Sequence, residues 1–99
     1  MILEMAILQV KPRQASAFQE AFAKAEPLIA AASGYVAHEL HRCVEAPDRF
    51  LLLVRWKTLE DHTYGFRQSS DYERWKALLH HFYDPFPEVL HYELLSGSN

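Results

Sequence analysis

The run from Tyr35 to Lys57, YVAHELHRCVEAPDRFLLLVRWK, decides the fold of this 99-residue chain. Tyr35 to Glu45 and Arg49 to Lys57 are strand-like, and Ala46-Pro47-Asp48 between them is a short polar connection with proline in a turn-forming position. The two runs should pair as an antiparallel hairpin. Strand side chains alternate between faces, so Phe50, Leu52, Val54 and Trp56 point one way while Leu51, Leu53, Arg55 and Lys57 point the other. Both faces begin apolar. In the preceding strand Val36, Leu40 and Val44 likewise oppose Tyr35, Ala37 and Cys43.

Upstream of the hairpin, Met1 to Val10 is aliphatic without Gly or Pro and reads as a strand that stops at Lys11-Pro12. Pro12 can open a helix. From Arg13 to Ser33 the residues Ala15, Phe18, Phe22, Ala25, Leu28, Ile29 and Ala32 recur at helical steps, and Gly34 supplies the stop. Pro27 inside that pattern removes a backbone donor and predicts a kink or break near Glu26.

Downstream, Thr58 with Asp61 and Ser70 with Glu73 mark two helix starts, which predicts a helix in two pieces. In the second piece Tyr72, Trp75, Leu78, Leu79 and Phe82 form an apolar stripe that Asp84-Pro85-Phe86-Pro87 terminates. Glu88 to Leu95 reads as a last strand. The order βαββαβ is that of an α+β, ferredoxin-like fold: a four-stranded antiparallel sheet with helices on one face. One domain is expected over residues 1–96, followed by a polar tail at 97–99.

Helices cover only one face of such a sheet, and the other face begins apolar here. A homodimer joined through the open sheet faces is therefore expected, with Tyr35, Ala37, Leu51 and Leu53 in or near the interface.

Ten Lys and Arg against 13 Asp and Glu give a formal charge of −3. That charge disfavours nucleic acid and anionic membrane as partners, since both attract clustered cations. The longest aliphatic run, Leu51 to Val54, is far short of the ~20 residues that span a bilayer. The single Cys43 cannot form an internal disulfide, and no secretory signal pattern opens the chain, so a cytoplasmic location is expected.

The six histidines lack metal-ligand spacing. His38 and His41, three apart on a strand, face opposite ways, and His80 and His81 diverge by about 100° on a helix. No metal is expected. The serines lack a Gly-x-Ser-x-Gly elbow, and Gly34, Gly65 and Gly97 cannot build a phosphate loop.

What remains is a zone rich in aromatics and histidines, from Trp56 through His62, Tyr64, Phe66, Arg67, Tyr72, Trp75, His80, His81, Phe82 and Tyr83 to Tyr92. Tyr72, Trp75 and Phe82 fit a packing stripe first of all. His62 and Arg67 are polar groups among aromatics on the short first helical piece, where Gly65 weakens helical order, and they make a candidate wall for a small aromatic ligand between helices and sheet. An imidazole near pKa ~6.5 suits proton removal from a phenol, which assigns His62 as candidate base and Arg67 as candidate holder of the anion. Phe66, Tyr72, Trp75, His80 and Tyr92 are the expected ligand contacts. The competing reading is a solvated His62, with Arg67 paired to an acid such as Asp71.

Several blocks carry a family resemblance: Gly34-Tyr35-Val36 through Glu39-Leu40-His41-Arg42, Pro47-Asp48-Arg49-Phe50-Leu51-Leu52 ending in Trp56, Leu59-Glu60-Asp61-His62, Gly65-Phe66-Arg67-x-Ser69, Tyr72-x-x-Trp75, and His91-Tyr92. In order and spacing, over nearly the whole chain, this resembles the antibiotic biosynthesis monooxygenase-like family. The resemblance implies a dimeric α+β barrel with a pocket between sheet and helices in each subunit. It also implies cofactor-independent oxygenation of electron-rich polycyclic phenols to quinones, in which the deprotonated substrate passes an electron to dioxygen and neither flavin nor metal takes part. Such members use an Asn and a Trp on the third strand. Trp56 matches the Trp, whereas this chain has no Asn before Asn99. A haem-degrading branch uses an Asn in the first strand, where only Glu4 and Gln9 are polar candidates here, so haem fits less well. A small aromatic ligand-binding dimer without catalysis is the alternative from another functional class.

Overall fold

The hairpin forms as its alternation requires, with β2 (Tyr35–Arg42) antiparallel to β3 (Arg49–Trp56). The structure, a computed structural model, describes residues 1–97; of the polar tail only Gly97 falls among them. β1 (Ile2–Gln9) inserts between β3 and β4 (Val89–Glu93), giving the antiparallel order β2-β3-β1-β4. α1 (Ala15–Ala30) and α2 (Ser70–Leu79) bury their apolar residues against one face, which completes the ferredoxin-like α+β arrangement.

Register assigns the faces. Ala6 opposite Leu52 and Leu8 opposite Phe50 point to the helices, while Met5 opposite Leu53 and Ile7 opposite Leu51 point away. Phe18 of α1 centres the core, its ring meeting Phe22, Phe50, Phe82 and Tyr83. Trp56, Phe50, Leu8, Ile29, Leu79, Val10 and Val54 are fully buried beside it, each such side chain contributing roughly 1.5–3 kcal/mol.

Four local expectations are corrected. Pro27 neither breaks nor ends α1, which runs through it to Ala30. The proline's φ suits a helix, and the carbonyl it leaves without a donor belongs to Ala23 on the exposed side, where solvent can serve it. Pro12 does not open the helix: it lies in a turn with Arg13 at φ 65°, and α1 starts at Ala15. The cap of α2 is Ser69 rather than Ser70, because Ser69 is the residue with extended backbone (φ −89°, ψ 158°) and its side chain accepts from the Tyr72 N–H. Tyr35, expected on the open face, turns toward the helices instead, because a register shift between Tyr35 and Ala37 slips the alternation. Its ring meets Trp56 edge-on and its hydroxyl lies 2.6 Å from His38 Nδ1.

Two features hold the walls of the space between sheet and helices. The turn that follows α1 closes at Gly34, whose φ of +81° suits glycine and whose missing Cβ leaves room for Asp61. After α2 a 3₁₀ turn (His80–Phe82) leads to Tyr83, which bridges to Val10, and the Asp84 N–H donates to the Gln9 carbonyl. These contacts tie the segment to the far end of β1.

Candidate active site

A cavity of about 370 Å³ opens between the sheet and the helices. Glu4, Ala6 and Leu8, successive inward positions of β1, make its floor with Leu52. His62, Phe66 and Arg67 form one wall, Tyr72 and Trp75 of α2 the next. His80, Tyr83, Phe86 and Pro87 close the end near Leu8 and Val10. This volume is at the small end for ligand pockets, and its lining of aromatics with few polar groups suits one compact ring system.

His62 and Arg67 share that wall because of the turn that carries them. Five residues apart, they would diverge by about 140° on an α-helix. The segment Asp61–Phe66 is instead a π-helical turn, in which the Arg67 N–H donates to the His62 carbonyl at 3.1 Å. Closing after five residues returns both side chains to nearly the same side. The turn is fixed at its start by Thr58 and Asp61, whose backbone N–H groups each donate to the other's side chain.

Glu4 and His62 are the buried polar residues among those described, 5% and 3% exposed. The Trp56 indole N–H donates to Glu4 Oε1 at 2.9 Å, and His62 Nε2 lies 3.3 Å from the same oxygen. On its other side His62 Nδ1 is 2.7 Å from His91 Nε2. His91 sits on β4 directly opposite Glu4 in the register, so three elements deliver one chain of polar contacts.

Burial governs the titration of this corner. It pushes His62 down to about 3, with the nearby charges of Arg67 and His91 acting the same way. Burial raises the Glu4 carboxyl, against the opposing pull of the Trp56 hydrogen bond and the Arg67 charge. His91 is lowered by burial and then by Arg67, and His80 by burial and then by Lys76. Tyr83 is held far above the usual phenol range by burial, with Tyr72 adding to it. At neutral pH His62 is therefore a neutral imidazole.

The cavity gathers His62, Arg67, Phe66, Tyr72, Trp75 and His80. It does not gather two other residues that the sequence put forward. Trp56 is fully buried behind the wall, stacked on His62, and acts on the cavity only through Glu4 and His62. Tyr92 lies opposite Leu3 on the other face of the sheet and is 45% exposed, because His91 takes the inward position of β4. Arg67 forms no ion pair among the described residues; Asp71 is 3.6 Å from Arg74 instead. His81 is exposed.

Glu4, His91 and Tyr83 were named in the sequence but given no role at the site. Glu4 carried a usable signal: it is the acid in an otherwise aliphatic strand, on the same alternation as Ala6 and Leu8. His91 and Tyr83 carried none, since their places depend on pairing between distant parts of the chain. Among the described residues no group of three His, Cys, Asp or Glu side chains is arranged to hold a metal.

The family model for antibiotic biosynthesis monooxygenases matches residues 1–78. The chain belongs to the antibiotic biosynthesis monooxygenase family. Within its matched part lie Glu4, Trp56, His62, Arg67 and Trp75, whereas His80, Tyr83 and His91 lie beyond it. The uncharacterized protein YczJ of Bacillus subtilis (strain 168) is 50% identical over 93 residues, covering 94% of this chain and 98% of that one. A Bordetella bronchiseptica structure named for the same antibiotic biosynthesis monooxygenase family is 36% identical, with a TM-score of 0.91 over 96% of this chain and 97% of that one. SnoaB, a cofactor-independent oxygenase from Streptomyces nogalater, shares the fold at a TM-score of 0.84 and 14% identity, over 97% of this chain and 94% of its own. No described helix is long and apolar enough to cross a membrane.

Proposed function

We propose that this chain is a cofactor-independent monooxygenase that oxidises small electron-rich aromatic substrates, polyphenols or quinols, with dioxygen. The observation that carries this reading is the desolvated Glu4–His62 pair beside Arg67 at the wall of an otherwise aromatic and aliphatic cavity. Family membership and the name of the SnoaB neighbour support it as well.

The chemistry needs a proton acceptor, a cation near the resulting anion and a dry site, and each has a candidate. The polar corner takes a proton from the activated O–H or C–H of the bound ring. Arg67 stabilises the phenolate or carbanion, which a site of low dielectric strengthens. That anion passes one electron to dioxygen, the radical pair combines to a hydroperoxide, and loss of water leaves the carbonyl: R₂CH₂ + O₂ gives R₂C=O + H₂O. Phe66, Tyr72, Trp75 and His80 hold the rings, and Trp56 props Glu4 and His62.

The working unit in this reading is a homodimer. Met5, Ile7, Leu51, Leu53, Leu90 and Tyr92 lie on the sheet face that the helices leave uncovered, and a second copy would bury them. A cytoplasmic location is consistent with a lone thiol at Cys43.

Oxygen uptake by the purified protein, with anthrones, dihydroxynaphthalenes and hydroquinones, tests the function. The expected result is uptake above the autoxidation rate that a chelator leaves unchanged. Tight binding of the same compounds without uptake would replace this reading with a ligand-binding one.

A further inference from the structure

We propose that Glu4 is the residue that takes the proton from the bound substrate, and that this proton equilibrates with solvent through His62 and then His91. The inference rests on the monooxygenase reading and names the groups that perform its first step.

Glu4 faces the cavity from its floor with one oxygen committed. Oε1 accepts from the Trp56 N–H at 2.9 Å and lies 3.3 Å from His62 Nε2, while Oε2 has no hydrogen bond among the described residues. No buried side-chain polar atom is without a partner among the described residues, so Oε2 is reached from the cavity. It is a carboxylate oxygen open to a substrate lying along β1. His62, by contrast, spends Nδ1 on His91 and turns Nε2 toward Glu4. It is placed between Glu4 and His91 rather than at the substrate.

The outer end of the chain is open. His91 is half-buried, contributes nothing to the cavity lining, and uses Nε2 on His62. By the same accounting its Nδ1 is reached by solvent from outside the cavity. Three protons take part: one crosses the 3.3 Å contact between Glu4 Oε1 and His62 Nε2, a second the 2.7 Å hydrogen bond between His62 Nδ1 and His91 Nε2, and a third is on or off His91 Nδ1. Shifting all three by one bond carries a proton between the carboxyl and water, with each histidine exchanging one neutral tautomer for the other. Neither ring has to become an imidazolium beside Arg67. A half-turn of the carboxyl about Cγ–Cδ swaps the oxygen that faces the substrate with the one that faces His62. Trp56, stacked on His62 and hydrogen-bonded to Glu4, holds these two side chains beside each other.

Oxygenation returns the abstracted proton to the departing water, so turnover does not itself need an exit path. Exchange with solvent does, and that separates the two claims. The probe is anthrone in D₂O, without dioxygen for exchange and with it for uptake, recovered ligand being read by mass spectrometry. The wild-type protein should wash deuterium into the acidic C–H position, and Glu4→Gln should slow both exchange and uptake by about 10²–10⁴. Glu4→Asp should recover part of each. His91→Phe should cut deuterons washed in per dioxygen consumed at least tenfold, whatever happens to the turnover rate, and added imidazole should restore the ratio. Unchanged exchange in Glu4→Gln overturns Glu4 as acceptor. An unchanged ratio in His91→Phe, or wild-type uptake with no wash-in, overturns the path. Exchange without uptake would sink the monooxygenase reading and leave this inference standing; neither in the wild type would sink both. Thermal melts of each variant identify any that fails to fold, and in that event the His91→Phe ratio decides.

Discussion

Trp56 lies against His62 with ring centroids 5.2 Å apart and 18° between the planes, so the strand-ending indole is a platform for the imidazole and no part of the cavity surface. The same indole N–H reaches Glu4. Replacing Trp56 with Phe keeps an aromatic platform and removes the donor. The expected cost is about 1–3 kcal/mol in urea denaturation, with a Glu4 carboxyl that titrates higher still. Oxygen uptake should fall about tenfold, and its pH profile should move upward on the side set by the carboxyl.

Gly34 and Gly65 should respond oppositely to alanine. A Cβ on Gly34 would stand 2.1 Å from Asp61 Cγ at a φ of +81°, so Gly34→Ala is expected to cost at least about 1 kcal/mol and to loosen the π turn that carries His62. At Gly65 the nearest atom is 3.8 Å away, and Gly65→Ala should be neutral or stabilising by up to about 1 kcal/mol. Equilibrium urea melts of the two variants decide this.

Stability should fall on acidification before most carboxylates titrate. His62 has its folded pKa lowered to about 3, so between its unfolded value near 6.5 and that point the unfolded chain binds the extra proton. The loss begins as pH falls through about 6.5 and levels near 3, reaching roughly 2 kcal/mol by pH 5 from His62 alone. His80 and His91, both lowered, act in the same direction. Glu4, raised, acts oppositely: its stabilisation is present below its unfolded value and lost as pH rises through the folded one. His62→Gln should flatten the curve between pH 7 and 5, as read from urea midpoints.

The uncovered sheet face makes its own prediction. Leu53→Lys places a charge at the centre of that face, opposite Met5, and sedimentation should report a dimer for the unaltered chain and a monomer for the variant. Tyr92→Ala should weaken association while leaving ligand affinity within about twofold, since Tyr92 lies on the far side of the sheet from the cavity.

Period-2 alternation made the sheet legible: Phe50 to Trp56 sort correctly because a strand has only two faces. The same property made Tyr35 and Tyr92 misleading, since a bulge in one case and one residue of phase in the other move a side chain to the opposite face. Pro27 gave a local signal for a break, yet α1 continues through it, and the residue whose carbonyl it strands, Ala23, is exposed to solvent. His62 and Arg67 were read as neighbours, yet the period of 3.6 offers no reason for them to share a wall; the π turn supplies it, and nothing in DHTYGF announces one. Glu4 and His91 meet only through pairing of strands from opposite ends of the chain, so their link to His62 was invisible without the register.

Turnover under ¹⁸O₂ tests the central claim most directly. With an anthrone as substrate, the account predicts a product carbonyl carrying one heavy oxygen, a second heavy oxygen in water, and a chelator-insensitive rate that Glu4→Gln lowers by about 10²–10⁴. A product without the label, or formed as fast by the Glu4→Gln protein as by the unaltered one, would contradict it.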